Sequence, residues 1–146
     1  MKIIELGHVV LYVSNLQRSV AFYEGILGFT KLSHDGGAAV FSSGRTHHEM
    51  LLLEIGGTPR PKSHPEPGLY HIGFKIGDGA AAIAAAFAEL RQKDVPIVGT
   101  ADHGVTHSIY VLDPDGNELE LYADVNDAWK KDPNFMMRYG TRRLEL

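Results

Sequence analysis

Residues 69–78, LYHIGFKIGD, alternate apolar and other side chains and end at a Gly-Asp pair, a pattern typical of a half-buried β-strand. An ionisable ring, His71, lies near the start of this strand. Residues 6–15, LGHVVLYVSN, repeat the pattern and carry His8 in nearly the same place. Two similar strand patterns, each with a histidine near its start, indicate an internal duplication.

The order of predicted elements also repeats. The first strand, residues 6–13, precedes a helical pattern that Ser14 or Asn15 can cap and Gly28 can end. The second histidine-bearing strand precedes an Ala-rich helix that cannot extend through Pro96. Three further strands follow each helix, at 30–33, 38–42 and 49–55 and at 97–100, 107–112 and 118–122. The chain therefore predicts an α+β fold in which two paired βαβββ modules form a curved mixed-sheet trough.

Composition shifts set the expected boundaries within one domain. The first module covers residues 1–56, a Pro/Gly-rich linker 57–68, the second module 69–123 and a C-terminal extension 124–146. The linker holds four of the seven prolines. The extension has apolar side chains without clear periodicity, so we expect it to cover a sheet edge or a subunit contact, with a substrate lid as the other option.

The overall composition excludes several classes of function. A net charge of −4 without a basic stripe argues against nucleic-acid binding. The chain has no cysteine, which excludes disulfides, thiolate nucleophiles and sulfur metal ligands. No apolar stretch approaches a membrane span, and the N-terminus does not read as a secretory signal, so we expect a cytoplasmic protein.

Three side chains share one type of position on their strands. Because residues two apart share a face, His8, His71 and Glu120 all lie opposite the apolar, helix-packed face and can point into the trough. Two imidazoles and one carboxylate form the facial triad of non-haem Fe(II) oxygenases, and they also suit Mn(II), Zn(II) or Ni(II). A hydrogen-bonded structural role for the histidines is the competing interpretation.

Nearly the whole chain resembles the vicinal oxygen chelate superfamily. The resemblance rests on GHVVLYVSNLQRSVAFYEGILGF, YHIGFKI and DPDGNELELY, which occur in the order and spacing of its paired βαβββ modules. Finer features resemble the type I extradiol ring-cleaving dioxygenases, whose larger members carry an additional paired-module domain. The resemblance implies His8, His71 and Glu120 as the metal ligands.

The same resemblance implies further site residues and partners. His48 in HHEMLLL matches an acid–base histidine, and HGVTHSIY supplies His103 and Tyr110 as residues that hydrogen-bond the substrate. His107 competes with His103, because the spacing to Tyr110 departs from the pattern by two residues. The implied cofactor is Fe(II), the implied partners are a catechol-like small molecule and O2, and the implied assembly is a homodimer.

Three alternatives remain open from the sequence. A glyoxalase-I-like isomerase would add Glu54 of MLLLEIG as a fourth ligand, since Glu54 shares a face with Met50 and Leu52 and can project into the trough. A fosfomycin-resistance-type transferase would use Mn(II), but no Arg or Lys cluster is evident for its phosphonate. A protein that sequesters an aromatic ligand without catalysis is the third. The triad could be built within one chain or shared between two.

Overall fold

The computed structural model describes residues 1–59 and 65–146, and it separates into two compact units. The first unit contains the first four strands, and the second contains the last four strands and the C-terminal extension. Residues 60–64, in the middle of the predicted linker, lie outside the described residues.

The first unit is one βαβββ module. Its strands are β1 (Val9–Val13), β2 (Thr30–Asp35), β3 (Ala38–Ser42) and β4 (Met50–Glu54), in the sheet order β1-β4-β3-β2. The β1–β4 pair is parallel and the other pairs are antiparallel. Helix α1 (Leu16–Val20) continues as a π-helical segment, Ala21–Ile26. The mixed sheet confirms the predicted module.

Two predicted helix signals in this module are confirmed. The Asn15 side chain caps α1 by accepting a hydrogen bond from the Arg18 backbone N–H at 2.8 Å. Gly28 follows the helical segment with a φ of 71°, a left-handed conformation that favours glycine. Between these ends, Leu16 and Tyr23 are buried and form part of the core of the first unit.

The second unit repeats the same order. Its strands are β5 (His71–Asp78), β6 (Ile97–Asp102), β7 (Thr106–Leu112) and β8 (Glu118–Asp124), in the sheet order β5-β8-β7-β6. The β5–β8 pair is parallel, and helix α2 (Ala80–Gln92) follows β5. The structure therefore confirms an α+β chain of two βαβββ modules, while their pairing into a trough stays a prediction.

The predicted strand faces are confirmed on β1 and β8 and need one correction on β5. Leu119 and Leu121 are buried, whereas Glu118, Glu120 and Tyr122 on the other face of β8 are half-buried. On β5 the register shifts between Lys75 and Gly77, and Ile76 is 38% exposed. Ile76 therefore does not join the buried face as the alternation predicted, because a bulge reverses the facing of later residues.

The first strand is shorter than the sequence predicted. It begins at Val9, so His8 directly precedes it. The carbonyl oxygens of Leu6 and Gly7 accept hydrogen bonds from the Arg45 guanidinium at 3.2 and 3.0 Å. A side chain therefore satisfies these carbonyls where a neighbouring strand would otherwise do so.

The C-terminal extension covers the edge strand β6, as predicted. It contains a short 3₁₀ turn (Ala128–Lys130) and helix α3 (Phe135–Tyr139). Arg142 then forms an antiparallel bridge with Asp102 through two backbone hydrogen bonds of 2.8 and 2.9 Å. Pairing of this kind protects an exposed sheet edge. In the part of the chain that the structure describes, no helix has the length and apolarity needed to span a bilayer.

Candidate active site

The parallel register of β5 and β8 brings His71 and Glu120 together. Gly73, two residues after His71, lies opposite Glu120, so both side chains are on one face of the sheet. His71 Nε2 lies 3.2 Å from Glu120 Oε2. A Cβ atom at Gly73 would lie 3.5 Å from that oxygen and 3.5 Å from the Tyr122 ring, so the glycine keeps the approach to the carboxylate open.

The other carboxylate oxygen of Glu120 is held by two hydroxyl donors from β7. Ser108 Oγ donates to Oε1 at 2.6 Å, and Tyr110 Oη donates to the same atom at 3.2 Å. These bonds orient the carboxylate so that Oε2 is on the side of His71. The sequence analysis missed Ser108, although its position two residues before Tyr110, on the same face of β7, could have identified it.

His103 extends this hydrogen-bond network, and His107 does not. His103 Nε2 lies 2.9 Å from Tyr110 Oη and 3.5 Å from Glu120 Oε1, and its Nδ1 lies 3.1 Å from the Thr141 hydroxyl. His107 Nε2 instead lies 3.7 Å from Asp102 Oδ1. Of the two competing histidines, the structure therefore places His103 beside Tyr110.

The Tyr110 phenol is held in its neutral form. Burial and then the nearby Glu120 carboxylate raise the pKa of Tyr110 above its ordinary value. At neutral pH the hydroxyl is therefore a hydrogen-bond donor. A neutral phenol can donate one hydrogen bond and accept another.

The donor atoms of His71 and Glu120 fit a shared divalent cation. Two adjacent ligands about 2.1 Å from one metal are about 3 Å apart, close to the observed 3.2 Å. His71 Nδ1 is buried and has no hydrogen-bond partner among residues 1–59 and 65–146, and Glu118 Oε1 lies 3.8 Å away. A small shift would let Nδ1–H donate to Glu118, which would leave Nε2 as the ligand nitrogen.

A complete metal cluster is not assembled within the described ranges. Among residues 1–59 and 65–146, no group of three His, Asp or Glu side chains is arranged to hold a metal ion. His71 and Glu120 are therefore a candidate ligand pair in the second unit. Their completion by His8 stays a prediction.

His8 and His48 lie together in the first unit. Their ring centroids are 4.4 Å apart, with the planes tilted by 36°. Burial, followed by the neighbouring His47 and His8 rings, lowers the pKa of His48 below its ordinary value. His48 is therefore a neutral imidazole at neutral pH, which is the form that can accept a proton.

The expected orientation of Glu54 is wrong. Met50 and Leu52, on the same face of β4, are fully buried in the core. The Glu54 carboxylate follows that face and accepts a hydrogen bond from the Leu16 backbone N–H at 2.5 Å, at the start of α1. Helix N-termini attract carboxylates because their first N–H groups lack partners within the helix. The contact with the Leu16 N–H thus gives Glu54 a structural role at the start of α1.

A pocket of about 540 Å³ opens over the His71–Glu120 pair, within the second unit. This volume is in the range of small-molecule sites. Its polar residues include His71, His103, Tyr110 and Glu120. Trp129 and Met136 of the C-terminal extension contribute apolar surface to it. The arrangement places hydrogen-bond donors, two candidate ligand atoms and apolar side chains around one space.

Comparison with known proteins agrees with this architecture. The sequence model of the Glyoxalase/Bleomycin resistance protein/Dioxygenase superfamily matches residues 5–121. Catechol-2,3-dioxygenase of Bacillus subtilis is 33% identical over 132 residues, covering 87% of this chain and 44% of that protein. The chain thus spans less than half of that relative's length.

Two further relatives show the breadth of the similarity. The metallothiol transferase FosB of Staphylococcus epidermidis is 31% identical over 120 residues, covering 81% of this chain and 82% of that protein. The crystal structure of a glyoxalase/dioxygenase from Nostoc punctiforme has a TM-score of 0.68 at 21% identity, covering 84% of this chain and 92% of that one. This chain belongs to the Glyoxalase/Bleomycin resistance protein/Dioxygenase superfamily.

Proposed function

We propose that this chain is an extradiol dioxygenase that uses Fe(II) and O2 to cleave the ring of a catechol-type substrate. The observation that carries this proposal is the asymmetry between the two modules. The two modules have equivalent strand positions beside their histidines. The second module has a carboxylate there, Glu120, and the first module has Leu51. Three ligands rather than four leave positions open for both substrates.

The strand registers give this asymmetry. In the second module, the residue two after His71 is Gly73, and Gly73 lies opposite Glu120. In the first module, the residue two after His8 is Val10, and Val10 lies opposite Leu51. The counterpart of Glu120 is therefore Leu51, which cannot bind a metal. A symmetric site with two histidines and two carboxylates would need a carboxylate at position 51, where this chain has leucine.

The same relationship counts against a glyoxalase-I-like activity. That alternative needs Glu54 as the fourth ligand, but the Glu54 carboxylate binds the start of α1 at Leu16. It also has no role for the hydrogen-bonded His103 and Tyr110 beside Glu120. A FosB-like transferase would require cations for a phosphonate, and the described lining of the pocket contains no Lys or Arg.

In the proposed reaction, His8, His71 and Glu120 would hold the iron. Fe(II), when bound, supplies the electron-transfer chemistry that makes O2 reactive toward a catechol. When substrate binds, the protons that Tyr110 directs at Glu120 and His103 directs at Tyr110 would be redirected to the substrate oxygens and would fix the ring in the pocket. His48, a neutral imidazole, would take the catechol proton and return it later.

The hydrogen bonds around His103 form a chain that leads to Glu120. Thr141 can donate to Nδ1, Nε2–H can donate to the Tyr110 oxygen, and Tyr110 donates to Glu120. In this arrangement each donor meets an acceptor. Because Tyr110 uses its own proton on Glu120, His103 Nε2 is the donor toward the Tyr110 oxygen in this arrangement.

Anaerobic reconstitution with Fe(II), followed by O2 and a panel of catechols, tests the activity. We expect yellow ring-fission products and consumption of one O2 per catechol. Glu54→Gln is the matched control and should retain activity, because Glu54 serves the helix. Isomerisation of a hemithioacetal with Ni(II) or Zn(II), without ring cleavage under Fe(II), would contradict the proposal. Binding of catechols without turnover by the Fe(II)-loaded protein would instead indicate a sequestering protein.

The assembly and location remain part of the proposal. The resemblance to dioxygenases supports a homodimer, and the cysteine-free sequence is compatible with the cytoplasm. Sedimentation of the purified chain tests the dimer, and a monomer at all concentrations would contradict it.

A further inference from the structure

We propose that the C-terminal extension selects the substrate of this site. In this proposal Trp129 and Met136 form an apolar wall that accepts a catechol with a neutral, apolar ring substituent and disfavours a carboxylated one. The inference rests on the proposed function and goes beyond it by naming the class of substrate.

The wall comes from outside the part of the chain that matches the superfamily. That match ends at residue 121, whereas Trp129 and Met136 lie on the 3₁₀ turn and on α3. Both line the pocket that also contains His71 and Glu120. The polar residues come from the module, while this part of the apolar surface comes from the extension.

The extension is anchored where it passes the β6–β7 turn. Tyr139 Oη donates to Asp102 Oδ2 at 2.7 Å, and the Arg142 guanidinium lies 4.3 Å from the Tyr139 ring centroid. Gly104 has a φ of 79°, and a Cβ atom there would lie 2.6 Å from the Tyr139 ring. The close fit of the ring on a glycine fixes α3, and with it Met136.

The charges around the pocket disfavour an anionic substituent. Among the described residues that line it, none is Lys or Arg. The nearby Lys75 is bound to Asp124 at 2.6 Å and to Asp78 at 2.8 Å. Lys130 Nζ lies 5.9 Å from the Trp129 ring centroid and is paired with Asp127 at 3.6 Å. A carboxylate near Trp129 and Met136 would therefore lose part of its hydration and would have to compete with Asp124, Asp78 or Asp127 for a cation, which is unfavourable. An alkyl or aryl group would gain from the same surface.

Trp129 also provides the measurement, because it is the only tryptophan of the chain. The Fe(II)-loaded protein under anaerobic conditions is titrated with 4-propylcatechol and with 3-(3,4-dihydroxyphenyl)propionate, which carry side chains of similar length. Quenching of Trp129 fluorescence reports binding without turnover. We expect the neutral ligand to bind about tenfold more tightly or better.

Variants of the wall sharpen the test. Met136→Ala should weaken binding of 4-propylcatechol about fivefold, and Met136→Lys should reverse the preference in favour of the propionate. Met137→Ala is the matched control, since Met137 is 85% exposed and outside the lining. It should leave both affinities unchanged.

The outcomes separate this inference from the proposed function. Selective quenching that depends on Met136 supports the wall even if no catechol is cleaved. Equal affinities for the two ligands, or affinities that do not change in the Met136 variants, overturn the wall even if ring cleavage is observed.

Discussion

The Tyr110 hydroxyl donates a hydrogen bond to Glu120 Oε1 at 3.2 Å, directly across the β7–β8 pair. Ser108 donates to the same oxygen at 2.6 Å, so the two bonds converge on one side of the carboxylate. Oε2 is left toward His71, 3.2 Å from its Nε2. The sheet register thus links the orientation of a proposed metal ligand to a proposed substrate-binding hydroxyl.

Tyr110→Phe removes this hydroxyl and keeps the ring. We expect kcat for ring cleavage to fall about 10- to 100-fold, since a positioned donor is lost, while Ser108 still holds Glu120. Steady-state kinetics together with the iron content of the variant measure the effect. The control is Tyr12→Phe at an exposed position of β1. A Tyr110→Phe enzyme that retains iron and full kcat would exclude Tyr110 from the reaction.

The two histidines of β7 and its preceding turn allow a matched comparison. His103 contacts Tyr110, whereas His107 contacts Asp102. His103→Ala should therefore lower kcat about 10- to 100-fold, and His107→Ala should leave kcat within about twofold. If His107→Ala were the more damaging change, the assignment of His103 to the substrate would be wrong.

Gly104→Ala should destabilise the fold through both backbone and packing. The φ of 79° disfavours any side chain, and the new Cβ would meet the Tyr139 ring at 2.6 Å. We expect a loss of about 2–3 kcal/mol in the free energy of unfolding, measured by urea denaturation. Gly44→Ala is the control, because Gly44 has a φ of 93° and no described atom would lie within 4 Å of its new Cβ. It should lose only about 1 kcal/mol.

A double variant isolates the packing part. Tyr139→Ala removes the ring that the Cβ would meet, so Gly104→Ala should cost less in that background than in the native chain. An equal cost in both backgrounds would show that the ring contact has no influence on stability.

Asp102 gives the extension a stability that depends on pH. Burial alone would raise the pKa of Asp102, but hydrogen bonds from Tyr139 and Gly104, with the charges of His107 and Arg142, lower it below its ordinary 3.8. Since the pKa of the folded state is the lower one, the stabilisation is fully present above about pH 4. It is lost as the pH falls from 3.8 through the folded pKa.

Asp102→Asn should therefore lower the stability at neutral pH and flatten its decline below pH 4, as followed by urea midpoints between about pH 7 and pH 3. Asp35→Asn, in the exposed end of β2, is the control. If the stability of Asp102→Asn fell below pH 4 as steeply as that of the native chain, the role of Asp102 would be contradicted.

The repeat and the strand faces of His71 and Glu120 were predictable because they depend on local alternation. His71 and Glu120 lie on the faces predicted for them, since successive strand residues point to opposite sides. Glu54 was misassigned because MLLL is apolar at every position, so its pattern cannot show which face packs on α1. The prediction that Ile76 lies on the buried face was wrong because β5 has a bulge there, which its apolar pattern does not reveal.

The contributions of the extension could not be predicted for a different reason. Thr141 reaches His103 and Tyr139 reaches Gly104 across more than 30 positions of the sequence. Such contacts depend on the path of the chain after β8, and the residues of the extension have no periodicity that would specify it. From the sequence we expected the extension to cover a sheet edge or a subunit contact, with a substrate lid as the other option.

The most direct test of the central claim is the Fe(II) stoichiometry of the native chain and four variants under anaerobic conditions. We expect one Fe(II) per chain in the native protein and in Glu54→Gln. We also expect loss of tight binding in His8→Ala, His71→Ala and Glu120→Gln alike, because each removes one of three ligands. Full stoichiometry and unchanged affinity in the folded His8→Ala variant would contradict the central claim.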